Sequence, residues 1–234
     1  MVRSANERSY YFSLPTERHQ DRCGLSGAGA GGHKGQSLKF GFTIQGLTRL
    51  RARRAGVGVG SNSFISPRGK ILLGKSAKMH LSEGVWLSAH HHLEVQEGAS
   101  VTIGASVHFG ERFRLLATPG AVVAIDDDCW FNHDISIVAR TEIRIGKHCL
   151  FGPYCYLSDN NHGTAKDMLI RHQEYSTSPL IVGSDVWLGV GATILKGASL
   201  GEGAIIAARA VVNKAVPAYE IWGGLPARRL ASRL

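Results

Sequence analysis

The chain has 234 residues with 29 glycines, and its formal charge of +9 comes from 27 Lys+Arg against 18 Asp+Glu. Those figures suit one large repeat domain and favour anionic partners such as phosphorylated cofactors, glycans or a membrane surface. There is no nucleic-acid-binding motif, no apolar run of about 18 residues and no signal-peptide order, so nucleic acid, a spanning helix and secretion are set aside.

In chain order, residues 1–36 read as a flexible tail, with the Gly-rich stretch Cys23 to Gly35 as its centre. Residues 37–70 read as a cap over the first coil of a solenoid, and the basic Arg51, Arg53 and Arg54 lie on its edge. From Ile71 a six-residue series passes through Val95, Val101, Val107, Phe113, Phe131, Ile137 and Ile143 to Cys155. Two places on, a second series runs from Leu73 to Leu157; Glu83, His91, Glu97 and Asp127 break the pattern, which reads as irregular early coils. The four cysteines (Cys23, Cys129, Cys149 and Cys155) form no C-x-x-C pair, so neither zinc nor disulfides are expected. Cys149 and Cys155, six apart, are expected to stack as small hydrophobes.

Residues 158–179 interrupt the phase and read as a loop thrown out of the solenoid, where function tends to sit. After it the phase is strict. Val182, Leu188, Ile194, Leu200, Ile206 and Val212 recur every six residues, and Val186, Ala192, Ala198, Ala204, Ala210 and Val216 follow four places after each. No helix has period six; a short strand and a turn repeated do, which gives a parallel β-helix burying a stacked apolar ladder. The solenoid domain is therefore expected over 71–220, closed by a crossing segment and short C-terminal helix over 221–234.

His162 lies at the base of the loop in Asp159-Asn160-Asn161-His162-Gly163. A neutral imidazole at a groove mouth is a natural general base near pH 7. Asp159 or a backbone carbonyl is expected to fix its tautomer, with Asp159 and Asn160 on the substrate side.

From Trp130 onward the sequence resembles the hexapeptide-repeat acyltransferases, in particular the galactoside, maltose and capsule-sugar O-acetyltransferases. The residues carrying this are Trp130, Asn132, Ile143-Arg144-Ile145-Gly146, Pro153, His162, the run Ile181 to Gly189 with its Val186-Trp187-Leu188-Gly189 step, and Lys214, Pro217, Gly224, Pro226 and Arg228. The resemblance implies the left-handed form of the β-helix, with 18 residues per coil. It implies a homotrimer whose active sites lie between subunits, with acetyl-CoA as acyl donor and a sugar or glycan as acceptor. It makes His162 the base and Asn132 an acceptor contact. Trp187, Gly189, Gly191, Ala192, Ala208 and Arg209 would line the pantetheine groove, and Lys214 and Arg228 would meet the nucleotide phosphates. No metal is expected. The location implied is cytoplasmic, with the basic residues able to touch the inner membrane face.

Ala139 and Arg140 stand where the galactoside-type enzymes carry two acidic residues, Val190 replaces a serine and Asn213 a threonine. The acceptor implied is thus not a simple galactoside; the Asp-Asn-Asn-His-Gly loop is closer to enzymes acetylating lipopolysaccharide, capsule or exopolysaccharide sugars. N-acetylation of a nucleotide-linked amino sugar, acetylation of an antibiotic, and a non-catalytic scaffold are the competing readings. The zinc branch of this fold needs two histidines five apart, and no two of the 11 histidines have that spacing.

Overall fold

The computed structural model describes Leu50, Ala52, Arg53 and residues 56–234. The expected tail and positions 37–49, 51, 54 and 55 of the expected cap, among them Arg51 and Arg54, lie outside the described residues. Short strands wind into three parallel sheets, one on each face of a solenoid. The first face stacks Val57–Val59, Lys78–Leu81, Ser100–Ile103, Val122–Ile125, Glu142–Ile145, Leu180–Val182 and Ser199–Leu200. The second begins at Phe64–Ile65 and passes Trp130–Phe131 and Trp187–Leu188 to Glu220–Gly224; the third runs from Lys70–Leu73 to Val211–Val212. This is an all-β parallel solenoid of about seven turns, consistent with a left-handed β-helix.

The coil begins at Val57, earlier than residue 71, since Val57 pairs with Met79 and Phe64 with Trp86. The early coils also hold 22 residues rather than 18: Met79 pairs with Val101 and Val101 with Val123. Val123 then pairs with Ile143, a coil of 20, and Val182 with Leu200, a coil of 18. The extra residues enter as dipeptides on the first and third faces, whose strands there are four residues long. A dipeptide preserves the in-out alternation of a strand. Apolar residues therefore stay inside while their partner on the next coil changes, so Glu83, Glu97 and Asp127 fall at corners without any slip. All twelve positions of the strict C-terminal series are buried.

The wider coils enclose more volume, and phenylalanine fills it. Phe109, Phe131 and Phe151 stack at 4.9 and 4.3 Å, with Phe113 against the first two. Above them the 18-residue coils close on Leu188 and Ile206, because interiors pack without voids. Cys129, Cys149 and Cys155 are buried and free, but Cys149 does not stack with Cys155. Successive sixes lie on neighbouring faces, and the register puts Cys149 one coil above Cys129.

Gly189 carries a constraint of close approach: a Cβ there would lie 2.6 Å from the Ala208 nitrogen of the next coil. Left-handed backbone is borne at corners largely by other residues, such as Asn62, Ser106, Asp128 and Asp185.

His91 occupies an inward corner position, 2% exposed, with Nδ1–H donating to the Ser88 carbonyl at 2.8 Å. Gly69, one coil below, leaves the room its ring fills. Burial lowers its pKa, opposed by the Ser88 bond and aided by neighbouring His92. The folded chain thus holds His91 neutral while the unfolded chain protonates it near pH 6.5. Its contribution is intact above that pH and is lost as pH falls below it. Melting curves at pH 7.5 and 5.5 should show a larger drop in Tm for wild type than for His91→Leu.

The expected C-terminal helix is absent. Glu220–Gly224 continues the second face, and Ala227–Ser232 folds back on it as an antiparallel strand. Trp222 explains the preference, since its ring is buried and its indole N–H donates to Glu220 at 2.7 Å. A helix over 221–234 would forfeit this cover of the last coil.

Candidate active site

The corner between the third and first faces is elsewhere closed by a short turn whose amide bonds to the coil below, as Gly120 N–H does to Glu97. After Tyr156–Ser158 the chain leaves the coil instead, and it returns at Leu180. Asp159 makes this exit. Its side chain is fully buried, and its carboxylate accepts from the N–H groups of Arg140, Thr141 and Glu142 at 2.7–2.8 Å and from the Thr141 hydroxyl at 3.0 Å. Asn160 Nδ2 adds a contact at 3.2 Å. With both oxygens committed to the coil below, Asp159 neither reaches a substrate nor orients His162; it serves the backbone. Asn160 likewise turns its amide inward, donating also to Ser158 Oγ at 3.0 Å.

Beyond Asp159, Asn160–His162 pairs antiparallel with Tyr175–Thr177, placing His162 directly across from Tyr175. The loop tip is clamped by Gln173, whose amide bonds Ala165 twice and the Met168 carbonyl once, each at 2.8 Å. Lys196 Nζ ties the returning strand to the coil through Ser176 Oγ at 2.5 Å. His162 is exposed. Its ring sits 4.5 Å from that of Tyr175, and among the described residues neither ring nitrogen is hydrogen-bonded. It edges an open groove of about 740 Å³ whose other walls include Lys166, Met168, Leu169, Ile170 and Arg171. Across Tyr175 from the coil comes Arg140, its Cζ 3.3 Å from the ring centroid. The sequence gives no local sign of this pairing, because Tyr175 meets Arg140 and His162 only once the loop closes.

The other expected site residues lie elsewhere. Trp187 is 51% exposed on the second face, between Leu150 and Ile205. Gly189, Gly191 and Ala192 form the next corner, with Ala208 and Arg209 one coil above. The N–H groups of Gly189, Gly191, Ala192 and Arg209 all bond within the solenoid, and the Ala192 side chain is buried. Of the amides at these corners, the Ala208 N–H is not among those bonded within the solenoid. Asn132 occupies the same corner two coils below Gly189, where its Oδ1 accepts from the His133 N–H at 2.8 Å. Lys214 Nζ lies 5.1 Å from the Trp222 ring, and Arg228 pairs with the adjacent Gly223. Lys214 and Arg228 are thus two exposed cations at the C-terminal end of the solenoid, with Lys214 near the Trp222 ring. Trp187 and His162 stand on different sides of the coil, and one chain does not bring them together. Among the described residues there is no cluster of metal-ligating side chains, and no helix is long and apolar enough to cross a membrane.

Residues 179–214 match the family described as Bacterial transferase hexapeptide (six repeats). The chain is 30% identical over 174 residues to a probable acetyltransferase of Mycobacterium tuberculosis, covering 74% of this chain and 53% of that one. It thus spans about half the length of this relative. It is 28% identical to WbbJ of Escherichia coli, named for O-acetyl transfer in lipopolysaccharide biosynthesis, over 53% of this chain and 70% of that protein. A solved hexapeptide-repeat acetyltransferase of Vibrio cholerae, complexed with acetyl coenzyme A, superposes with a TM-score of 0.52 at 28% identity, covering 59% of this chain and 72% of its own. By its repeat, its coil and these similarities, the chain resembles the hexapeptide-repeat acetyltransferases, and residues 179–214 carry their hexapeptide repeat.

Proposed function

We propose that this protein transfers an acetyl group from acetyl-CoA to a hydroxyl of a sugar in a lipopolysaccharide, capsule or exopolysaccharide precursor, with His162 as general base. The observation that carries this is the exposed His162 imidazole, with both nitrogens unengaged, at the edge of a groove on a hexapeptide solenoid. Its likeness to a protein named for lipopolysaccharide O-acetyl transfer supports the acceptor class.

Bound acetyl-CoA supplies an electrophilic thioester carbonyl to the acceptor oxygen. His162 accepts the proton of the attacking hydroxyl and returns it to the departing sulfur, so that one residue serves as base and then acid. Trp187 offers an apolar wall to the coenzyme arm, and Lys214 and Arg228 charge-assisted donors to its phosphates. Because Trp187 and His162 lie on different sides of one chain, the site is completed between copies, in a homotrimer. The donor places the reaction in the cytoplasm, and the basic surface allows contact with the inner membrane face.

The test is release of free CoA thiol from acetyl-CoA with a panel of sugar acceptors, followed by mass spectrometry of the product. Acceptor-dependent release with ester formation is expected; acetylation confined to amino sugars would replace the hydroxyl by an amine. Lys214→Ala should weaken acetyl-CoA binding about tenfold, roughly one lost charge-assisted contact, as read by calorimetry. An unchanged Kd would remove Lys214 from the donor site.

A further inference from the structure

Arg140 shares Tyr175 with His162, and the proposed reaction leaves its chemistry unused. Its backbone is fixed, since its N–H donates to Asp159 at 2.8 Å. Its guanidinium carbon lies over the Tyr175 ring, 3.3 Å from the centroid, and the His162 ring packs on the same tyrosine at 4.5 Å. A cation held over an aromatic face is restrained in position while its N–H donors stay available for hydrogen bonds. Those donors have no partner among the described residues. Nε is buried without a hydrogen bond. Two nearby carboxylates are committed elsewhere: Asp159 to backbone donors, and Glu142 to Arg144 at 2.6 Å. A guanidinium held in place and left without its counter-charge is costly unless something anionic completes it.

We infer that Arg140 binds an anionic oxygen group, a carboxylate or a phosphate, carried by the acceptor close to the hydroxyl that His162 deprotonates. The inference rests on the acetyl-transfer reading for the identity of the bound molecule. Arg140 is then a specificity-determining residue. A planar fork matches either anion with two parallel hydrogen bonds, and a neutral sugar would leave it unsatisfied.

The test uses methyl β-glucoside, methyl β-glucuronide and glucose 1-phosphate as probes. Binding to the full chain is followed by calorimetry and turnover by CoA release, in wild type, Arg140→Gln and Arg140→Lys. At least one anionic probe should bind about tenfold more tightly than the neutral one, with the glucuronide and phosphate arms distinguishing the two anions. Arg140→Gln should abolish that difference while leaving the neutral probe within about twofold, and Arg140→Lys should restore part of it. Anion-selective binding lost in Arg140→Gln without turnover of any probe would uphold the role of Arg140 and sink acetyl transfer to these sugars. No anion preference in wild type, an equal loss for all three probes in Arg140→Gln, or dissociation of the assembly in that variant would overturn the inference.

Discussion

His162→Ala is expected to lower acetyl transfer by about a hundred- to ten-thousand-fold while acetyl-CoA binds as before. The magnitude is the usual worth of a positioned general base, and the split between binding and turnover follows from the geometry. His162 sits on the loop strand Asn160–His162, whereas Trp187, Lys214 and Arg228 lie on the solenoid and its terminal hairpin. Removing the imidazole therefore leaves the expected donor surface untouched. The ring packs against Tyr175 from an exposed position, so its loss should shift Tm little. Turnover is measured as CoA release at saturating acetyl-CoA. Wild-type turnover in this variant would end the assignment of His162 as the base.

Asp159→Asn should have the largest effect on stability, about 3 kcal/mol. The carboxylate is fully buried and receives three backbone N–H groups and a hydroxyl. An asparagine keeps one acceptor oxygen and turns an NH₂ toward the other donors, stranding either the Arg140 N–H or those of Thr141 and Glu142. In a chain of this length that corresponds to a drop of roughly 6–12 °C in Tm. Because the bonds tie the loop exit to the corner below, the segment 159–179 should loosen first, and limited proteolysis should cut there before the solenoid unfolds. Turnover should fall with it, since His162 is three residues away. An unchanged melting curve with a raised acceptor KM would instead make Asp159 a substrate contact.

The solenoid itself was legible because its C-terminal coils obey one rule: two inward residues per six, of matched size, without exception from Val182 to Val216. The early coils hid their true length for an instructive reason. A two-residue insertion leaves the hydrophobic alternation intact, so a six-residue count from Ile71 finds apolar residues while assigning them wrong neighbours. Only the phenylalanines at Phe109, Phe113, Phe131 and Phe151 hinted at a wider section. The C-terminal segment failed for a different reason. Ala227 to Leu230 favours a helix locally, but pairing with Glu220–Gly224 covers Trp222 and the final coil, and that burial outweighs propensity.

At the site, the position of His162 on an extruded loop was foreseen from the phase break. What escaped was the interior of the loop. Asp159 looked like a polar partner for chemistry, yet its neighbours in space are the amides of 140–142, a corner that lacks the usual turn. Tyr175 carried no signal, because its contacts with Arg140 and His162 depend on a register that only the closed loop fixes.

The most direct test of the account is calorimetric titration of the full chain with acetyl-CoA. Saturable binding at one site per chain, unaffected by His162→Ala, is predicted. No heat of binding up to millimolar acetyl-CoA would contradict it, leaving a solenoid with an exposed histidine and no donor for it to serve.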